Sequence, residues 1–329
     1  MGRIVVALGG NALSKAGEKG TWSEQIANME ETALHLARLV VDGEELVLTH
    51  GNGPQVGALL LQQEAAKFEV SSMPMHTLGA MTQGWIGYLI QQTLPKALED
   101  VGPPKRGKRA KRASWPPAVL PMVTRVLVSP RDPSFRHPTK PVGPYYSENE
   151  ARLLKKQYGW SMIHDAARGG YRRLVPSPVP LELLEGEALG KFMDMGLGRW
   201  AIPVVTGGGG VPVIRRSDGT MEGVDAVVDK DRTAALLARA IGASTLAIIT
   251  DVSGVSIGFR SENETQLNKV NTRSLRRYLA AGEFGEGSMK PKVEAALDFL
   301  KHGGKKAIIT DAHSLSRAIA GAAGTIIEH

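Results

Sequence analysis

Short apolar runs alternate with longer stretches of helical period along the 329-residue chain. Runs such as IVVAL, LVLT and LAIIT show no polar alternation. Both faces of such strands are expected to be covered, as in the centre of a parallel sheet lying between helices. The pattern predicts strands over 3–8, 45–49, 119–128, 201–206, 245–250, 305–310 and 324–328. Between them, Ile26, Met29, Ala33, Leu36 and Val40 recur at helical spacing, with Thr21 and Glu24 offering a capping box ahead of the run. Ser147 and Glu150 offer a second box for a helix running through Lys156. Val293, Ala296, Leu297 and Leu300 mark a third helix, with Pro291 in its first turn and Gly303 past its end. Strands and helices in alternation predict an α/β fold with a mostly parallel sheet.

Two stretches break the pattern. Residues 129–146 hold five prolines and few helix formers, which predicts an extended, semi-rigid protrusion or lid. Residues 103–117 are basic and Pro-rich. Composition is ordinary for a globular chain, 42% hydrophobic and 22% charged, and long enough for two lobes. No apolar run reaches the roughly 18 residues of a membrane span. Cysteine is absent, which excludes disulfides, thiolate metal sites and thiol nucleophiles and agrees with a cytoplasmic location. The net charge is +7, and six basic residues with no acid fall within PPKRGKRAKR at 103–112. That run reads as a solvated loop in preference to a nucleic-acid contact, because only Trp115, at its edge, could stack on a base.

Glycines cluster where the predicted strands end. Gly9-Gly10-Asn11 follows the first strand, His50-Gly51-Asn52-Gly53-Pro54 the second, and Gly207, Gly208, Gly209 and Gly210 the strand AIPVVT. Ligands of open α/β sheets bind at the carboxyl ends of strands, where glycine lets phosphate oxygens approach backbone N–H groups. A tight turn with no ligand would explain any one of these loops, and His50 alone reads as a structural histidine. None fits GxGxxG or GxxxxGK[ST]. Asp229-Lys230-Asp231 precedes a helical run, where the acids could simply cap the helix. Lys290 and Lys292 lie in the first turn of a helix that Ser288 could cap; there they oppose the helix dipole unless a phosphate binds, or they merely face solvent. Lys140 is stiffened by Pro138 and Pro141, or is an ordinary exposed lysine. Glycine loops, unusual lysines and the lack of a metal-ligand cluster together point to phosphoryl transfer, which needs positioning and charge neutralisation above all.

The segments VALGGNAL, THGNGPQVG, GAMTQGWIGYLIQQ, HPTKPVGPYYSE, TGGGGVPV, AVVDKD, IITDVSGV and GSMKPKVEAAL, in that order over nearly the whole chain, resemble the carbamate kinases of the amino acid kinase superfamily. HGNGPQVG with PTKPVGP marks that branch. The resemblance implies a three-layer αβα sandwich with an open, mainly parallel sheet and a small protruding subdomain at about 122–160. Residues 1–205 would bind the acceptor and 206–329 the nucleotide. It implies a homodimer that transfers phosphoryl reversibly between ATP and carbamate, with Mg²⁺ and with no general base, carbamate being an anion already. Gly9, Gly10, Asn11, Gly51, Asn52 and Gly53 would surround the acceptor. Lys140 and Lys230 would neutralise the phosphoryl in flight, with Asp229 and Asp231 orienting Lys230. Lys292 would bind nucleotide phosphates, and Gly207, Gly208, Gly209, Gly210, Asp251 and Met289 would lie along the nucleotide. Two alternatives stand beside this. One is a kinase of another small carboxylate, whose relatives usually carry Lys where this chain has Leu8. The other is a nucleotide-responsive nucleic-acid-binding protein using the basic run.

Overall fold

The first strand, Arg3–Leu8, is buried on both sides: Val5 and Ala7 pack into one cluster, and Ile4, Val6 and Leu8 into another. The computed structural model describes residues 2–10, 13, 15, 17–103, 115–165, 169–259, 261–285 and 288–329, Pro144 without its side chain. Asn11, Gly287 and all six basic residues of the 103–112 run lie outside the described residues.

Eight strands form the main sheet, in the order Lys269–Asn271, Thr325–Glu328, Lys306–Thr310, Thr245–Ile249, Arg3–Leu8, Glu45–His50, Ala201–Val204 and Ala118–Pro121. Every neighbouring pair is parallel except Lys306–Thr310 with Thr325–Glu328. The helices Trp22–Asp42, Met75–Val101 and Leu315–Ile319 cover one face, through residues such as Leu36, Ile90 and Leu315. Gly186–Asp194, Lys230–Ala240, Thr272–Ala280 and Met289–Lys301 cover the other, through Leu189, Leu237, Leu275 and Leu297. The helix-covered, mostly parallel sheet expected from the unbroken apolar runs is therefore present, as the αβα sandwich that the resemblance implies, and the parallel central strands bring their carboxyl ends to one edge. Both capping boxes form, Thr21 with Glu24 and Ser147 with Glu150, each stabilising its helix start by about 1 kcal/mol.

The run 119–128 is two strands in two sheets, not one. Ala118–Pro121 ends the main sheet, and Arg125–Val128 joins a four-stranded sheet with Met221–Gly223, Val211–Arg215 and Pro180–Leu183. Pro121 has no N–H to continue a ladder. Gln83 then takes over the backbone of Thr124, accepting its N–H at 2.9 Å and donating to its carbonyl at 3.1 Å.

The Pro-rich stretch makes a single 3₁₀ turn, Pro133–Phe135, and then the strand Lys140–Tyr146. That strand pairs antiparallel with Tyr171–Val175, which also pairs with Ser161–His164. With the helix Glu148–Tyr158, these strands enclose a small core of Tyr146, Ala151 and Trp160. The strand that joins the other two, Tyr171–Val175, lies beyond the 122–160 that the resemblance implies for the protrusion.

Candidate active site

Gly9 and Gly10 leave the end of Arg3–Leu8, and Gly51, Asn52 and Gly53 leave the end of its neighbour Glu45–His50. The two loops meet under Lys230. A Cβ on Gly51 would lie 3.4 Å from Lys230 Cδ and 3.6 Å from the backbone nitrogen of Gly10. Gly9 backs onto the end of Thr245–Ile249, its Cβ position 2.6 Å from the Ile249 carbonyl oxygen, whereas the Cβ position of Gly10 has no atom within 4 Å. Backbone from three adjacent strands thus converges below one ammonium group.

Asp229 and Asp231 tie three lysines together from distant parts of the chain. Lys230 Nζ donates to Asp231 Oδ1, and Lys292 Nζ donates to Asp231 Oδ2 at 2.9 Å. Lys140 Nζ, from the protruding sheet, donates to Asp229 Oδ2 at 2.6 Å. The other oxygen of Asp229 accepts the N–H groups of Asp231 and Arg232, at 3.0 and 3.3 Å, so the residue caps the helix Lys230–Ala240 and holds a lysine at once. The capping reading of this acid is met by one oxygen, but the other holds Lys140 in place of the Lys230 that the resemblance had it orient; Lys230 donates to Asp231.

The cluster is sheltered, with the side chains of Lys230 and Asp231 12% and 3% exposed. Burial pulls the Lys230 ammonium below the ordinary lysine value, Asp231 opposes that fall, and Lys292 adds to it. Burial also disfavours charge on Lys292, but Asp231, Asp229 and Asp251 outweigh it and the net shift is upward. Burial would raise both carboxyls, yet the lysines hold Asp229 and Asp231 well below the usual carboxylate range. Three lysines are thus bonded to two carboxylates, with Asp251 acting on Lys292 from further off, a concentration of cations suited to receiving an anion.

Gly207, Gly208, Gly209 and Gly210 are buried, and at the first three protein fills the space a side chain would need. A Cβ on Gly207 would lie 2.3 Å from His50 Nε2, and one on Gly208, at φ +64°, would lie 2.1 Å from Asn52 Nδ2. The loop therefore buttresses the Gly51–Gly53 turn from behind. It starts at Thr206, the one non-glycine with positive φ (54°) among the described residues. Such strain costs about 1–3 kcal/mol and needs anchoring. Thr206 donates its N–H to Thr124 Oγ1 at 2.7 Å and its hydroxyl to Thr49 Oγ1 at 2.9 Å, while Thr49 Oγ1 donates to the Thr206 carbonyl at 3.1 Å. Asn52 is fixed in turn by donating to Thr82 Oγ1 at 2.8 Å. The sequence pattern gave no sign of this threonine knot, because threonines with no regular spacing carry no signal until the fold brings them together.

Asp251 follows the strand Thr245–Ile249 and accepts a hydrogen bond from Thr250 Oγ1 at 3.1 Å. Met289 opens the helix Met289–Lys301 and packs against the main core. Ser288 makes no side-chain cap there, contrary to the sequence expectation. Lys292 turns inward to Asp231, which its place in a first turn did not show.

His50 is structural, as its isolation in the sequence suggested. Its Nδ1 lies 3.0 Å from the Gly51 carbonyl, so the neutral ring carries its proton there and leaves Nε2 bare toward Gly207. Burial, aided by Lys230 and opposed by the bond to Gly51, lowers its pKa to about 4. The unfolded chain would take up this proton near pH 6.5, so the stability contributed by the neutral ring is complete above about pH 6.5 and is lost as pH falls toward 4. The loss expected over that window is roughly 3 kcal/mol. Chemical denaturation of wild type and His50→Gln at several pH values checks this: the wild type should weaken more on acidification, and parallel curves would show that the ring does not titrate as described.

A sequence model of the amino acid kinase family matches residues 2–119 and 145–311, and the chain belongs to that family. More narrowly it belongs among the carbamate kinases, being 43% identical over 325 residues to the carbamate kinase of Pyrococcus horikoshii, with 98% of each chain covered. The carbamate kinase of Giardia lamblia bound to citric acid superposes with a TM-score of 0.88 at 37% identity, over 99% of this chain and 98% of that one. The same enzyme bound to AMP-PNP gives 0.84 over the same shares. Residues 120–144, which the general family model passes over, include Lys140.

Proposed function

We propose that the chain is a carbamate kinase, transferring phosphoryl between ATP and carbamate to give ADP and carbamoyl phosphate. The carrying observation is the meeting of Lys140, Lys230 and Lys292 through two buried carboxylates above the Gly9–Gly10 and Gly51–Gly53 turns. It is supported by full-length similarity to carbamate kinases, one of which binds an ATP analogue.

In the forward direction a carbamate oxygen forms a bond to the γ-phosphorus as the bond to the β-bridging oxygen of ATP breaks. The nucleophile is already an anion, so the chain supplies position and positive charge. In this reading Gly9, Gly10, Gly51, Asn52 and Gly53 hold the acceptor, Lys140 and Lys230 meet the phosphoryl, and Lys292, Asp251 and Met289 lie toward the nucleotide. Gly207 and Gly208 act through His50 and Asn52, while Gly209 and Gly210 back onto Val228 and Val126. The acceptor half is 1–205 and the nucleotide half 206–329. Mg²⁺ enters with the nucleotide as part of the substrate: among the described residues no three His, Asp or Glu side chains could hold a metal, and Asp229 and Asp231 are occupied by lysines.

No helix of the described residues is long and apolar enough to cross a membrane. A cytoplasmic homodimer completes the reading. The exposed, stacked Trp22 and Tyr88, 6.0 Å apart, support pairing, and a sizing experiment that finds a single chain's mass would remove it.

ATP formation from ADP, Mg²⁺ and carbamoyl phosphate, with acetyl phosphate as a parallel donor, tests the function. Fast formation from carbamoyl phosphate alone is expected. A folded, nucleotide-binding protein that makes ATP from neither donor would overturn the assignment.

A further inference from the structure

The strand Tyr171–Val175 carries two adjacent arginines, and neighbours on a strand point to opposite faces. Arg173 lies over the Trp160 ring, 4.1 Å from its centroid, on the side of the protrusion's own core. Arg172 is directed to the acceptor loop. Its Nη2 lies 3.9 Å from the Cβ position of Gly53, and no other heavy atom comes within 4 Å of that position.

The guanidinium is held there by backbone. Arg172 Nε donates to the Gly143 carbonyl at 3.2 Å. Gly143, at φ +80°, is seated on the first turns of the helix Gly53–Ala66, so closely that a Cβ on Gly57 would lie 1.8 Å from the Gly143 Cα. The Tyr145 ring lies 5.2 Å from the guanidinium carbon. A glycine on each side thus lets the protruding sheet approach the helix that begins at the acceptor loop, and this approach sets the arginine beside Gly53.

Two cations consequently flank residues 51–53: Lys230 against Gly51 and Arg172 against Gly53. They differ in chemistry. Lysine offers a compact charge, whereas the guanidinium is a planar fork that matches a planar O–C–O group. We propose that Arg172 is an acceptor-binding residue that recognises the planar carbamate or carbamoyl end of the substrate, while Lys230 faces the phosphoryl end. The inference deepens the carbamate kinase reading and rests on it. It makes the protruding sheet the source of an acceptor contact as well as of Lys140.

The test is ATP formation by wild type, Arg172→Ala and Arg172→Lys, with carbamoyl phosphate and ADP varied separately. Loss of a charged hydrogen bond predicts a KM for carbamoyl phosphate raised roughly 10- to 100-fold in Arg172→Ala. The KM for ADP should stay within about twofold, as expected of a contact confined to the acceptor. Arg172→Lys should remain impaired, since a single point charge cannot replace the fork, and added guanidinium should partly restore the alanine variant. An unchanged KM for carbamoyl phosphate would overturn the proposal. So would a joint rise of both KM values with a lowered Tm, which would make Arg172 a prop for Gly143. A wild type that makes no ATP refutes the carbamate kinase reading instead. The thermal shift of the wild type with fresh carbamoyl phosphate then decides this inference: a shift lost in Arg172→Ala sustains the contact, and a shift retained in that variant, or missing from wild type, overturns it.

Discussion

Lys230→Ala lowers turnover by roughly two to three orders of magnitude, the loss expected when a preorganised charge no longer meets a transferring phosphoryl group. The size follows from position. Lys230 stems from the first residue of a helix whose cap, Asp229, is itself fixed, and it lies across the glycine turns of two adjacent strands. Asp231 and the shelter from water hold the ammonium before substrate arrives, so little reorganisation accompanies the reaction. An interaction made chiefly in the transition state lowers kcat and kcat/KM together. Measured rates of ATP formation at saturating carbamoyl phosphate and ADP should show that joint fall. Near-normal turnover would remove Lys230 from the mechanism and leave Lys140 and Lys292 to carry the charge. Stability should change far less than activity, because Asp231 keeps Lys292 as its partner.

How much of this could be read from the sequence depended on how local the signal is. IVVAL and LVLT are legible as central strands because burial on both faces leaves an unbroken apolar run, and the layered sandwich follows from that. The run 119–128 misleads for the same reason: the break at Pro121–Thr124 is made by Gln83, a distant helix residue, and a propensity argument cannot see it. Asp229-Lys230-Asp231 is legible as unusual, but its partners Lys140 and Lys292 are brought in by tertiary structure, and no spacing predicts which oxygen each takes. The run of four glycines is legible as backbone that must come close to something. That its neighbours are the His50 ring and the Asn52 amide, and not open space, is a fact of packing. Arg172 is the least legible of all, because nothing in YRRL marks it until Gly57 and Gly143 are seen to approach each other.

Asp231→Asn separates the cluster's structural part from its chemistry. Asp231 is 2% exposed and receives two lysines, so removing its charge leaves both ammonium groups sheltered, with Asp229 near both and Asp251 near Lys292 but neither bonded to them. Breaking a buried ion pair from one side costs about 3–5 kcal/mol, and urea denaturation near neutral pH should show a loss of that order. The pH dependence identifies the cause. Burial already depresses the Lys230 pKa against the opposition of Asp231, so without that opposition the folded-state value drops further. Between the depressed value and the unfolded value near 10.4, the unfolded chain binds more protons, and stability rises with pH. The variant should therefore recover part of its deficit relative to wild type as pH is raised from about 7 to about 10, a recovery that a simple packing defect would not show. Activity should move the other way, since a neutral Lys230 amine cannot neutralise the phosphoryl: the alkaline limb of the rate profile shifts to lower pH, and the remaining turnover is greatest in mild acid. A deficit that stays flat with pH would mean that the lysines keep their protons without Asp231, and that Asp229 and Asp251 are sufficient counter-ions for them.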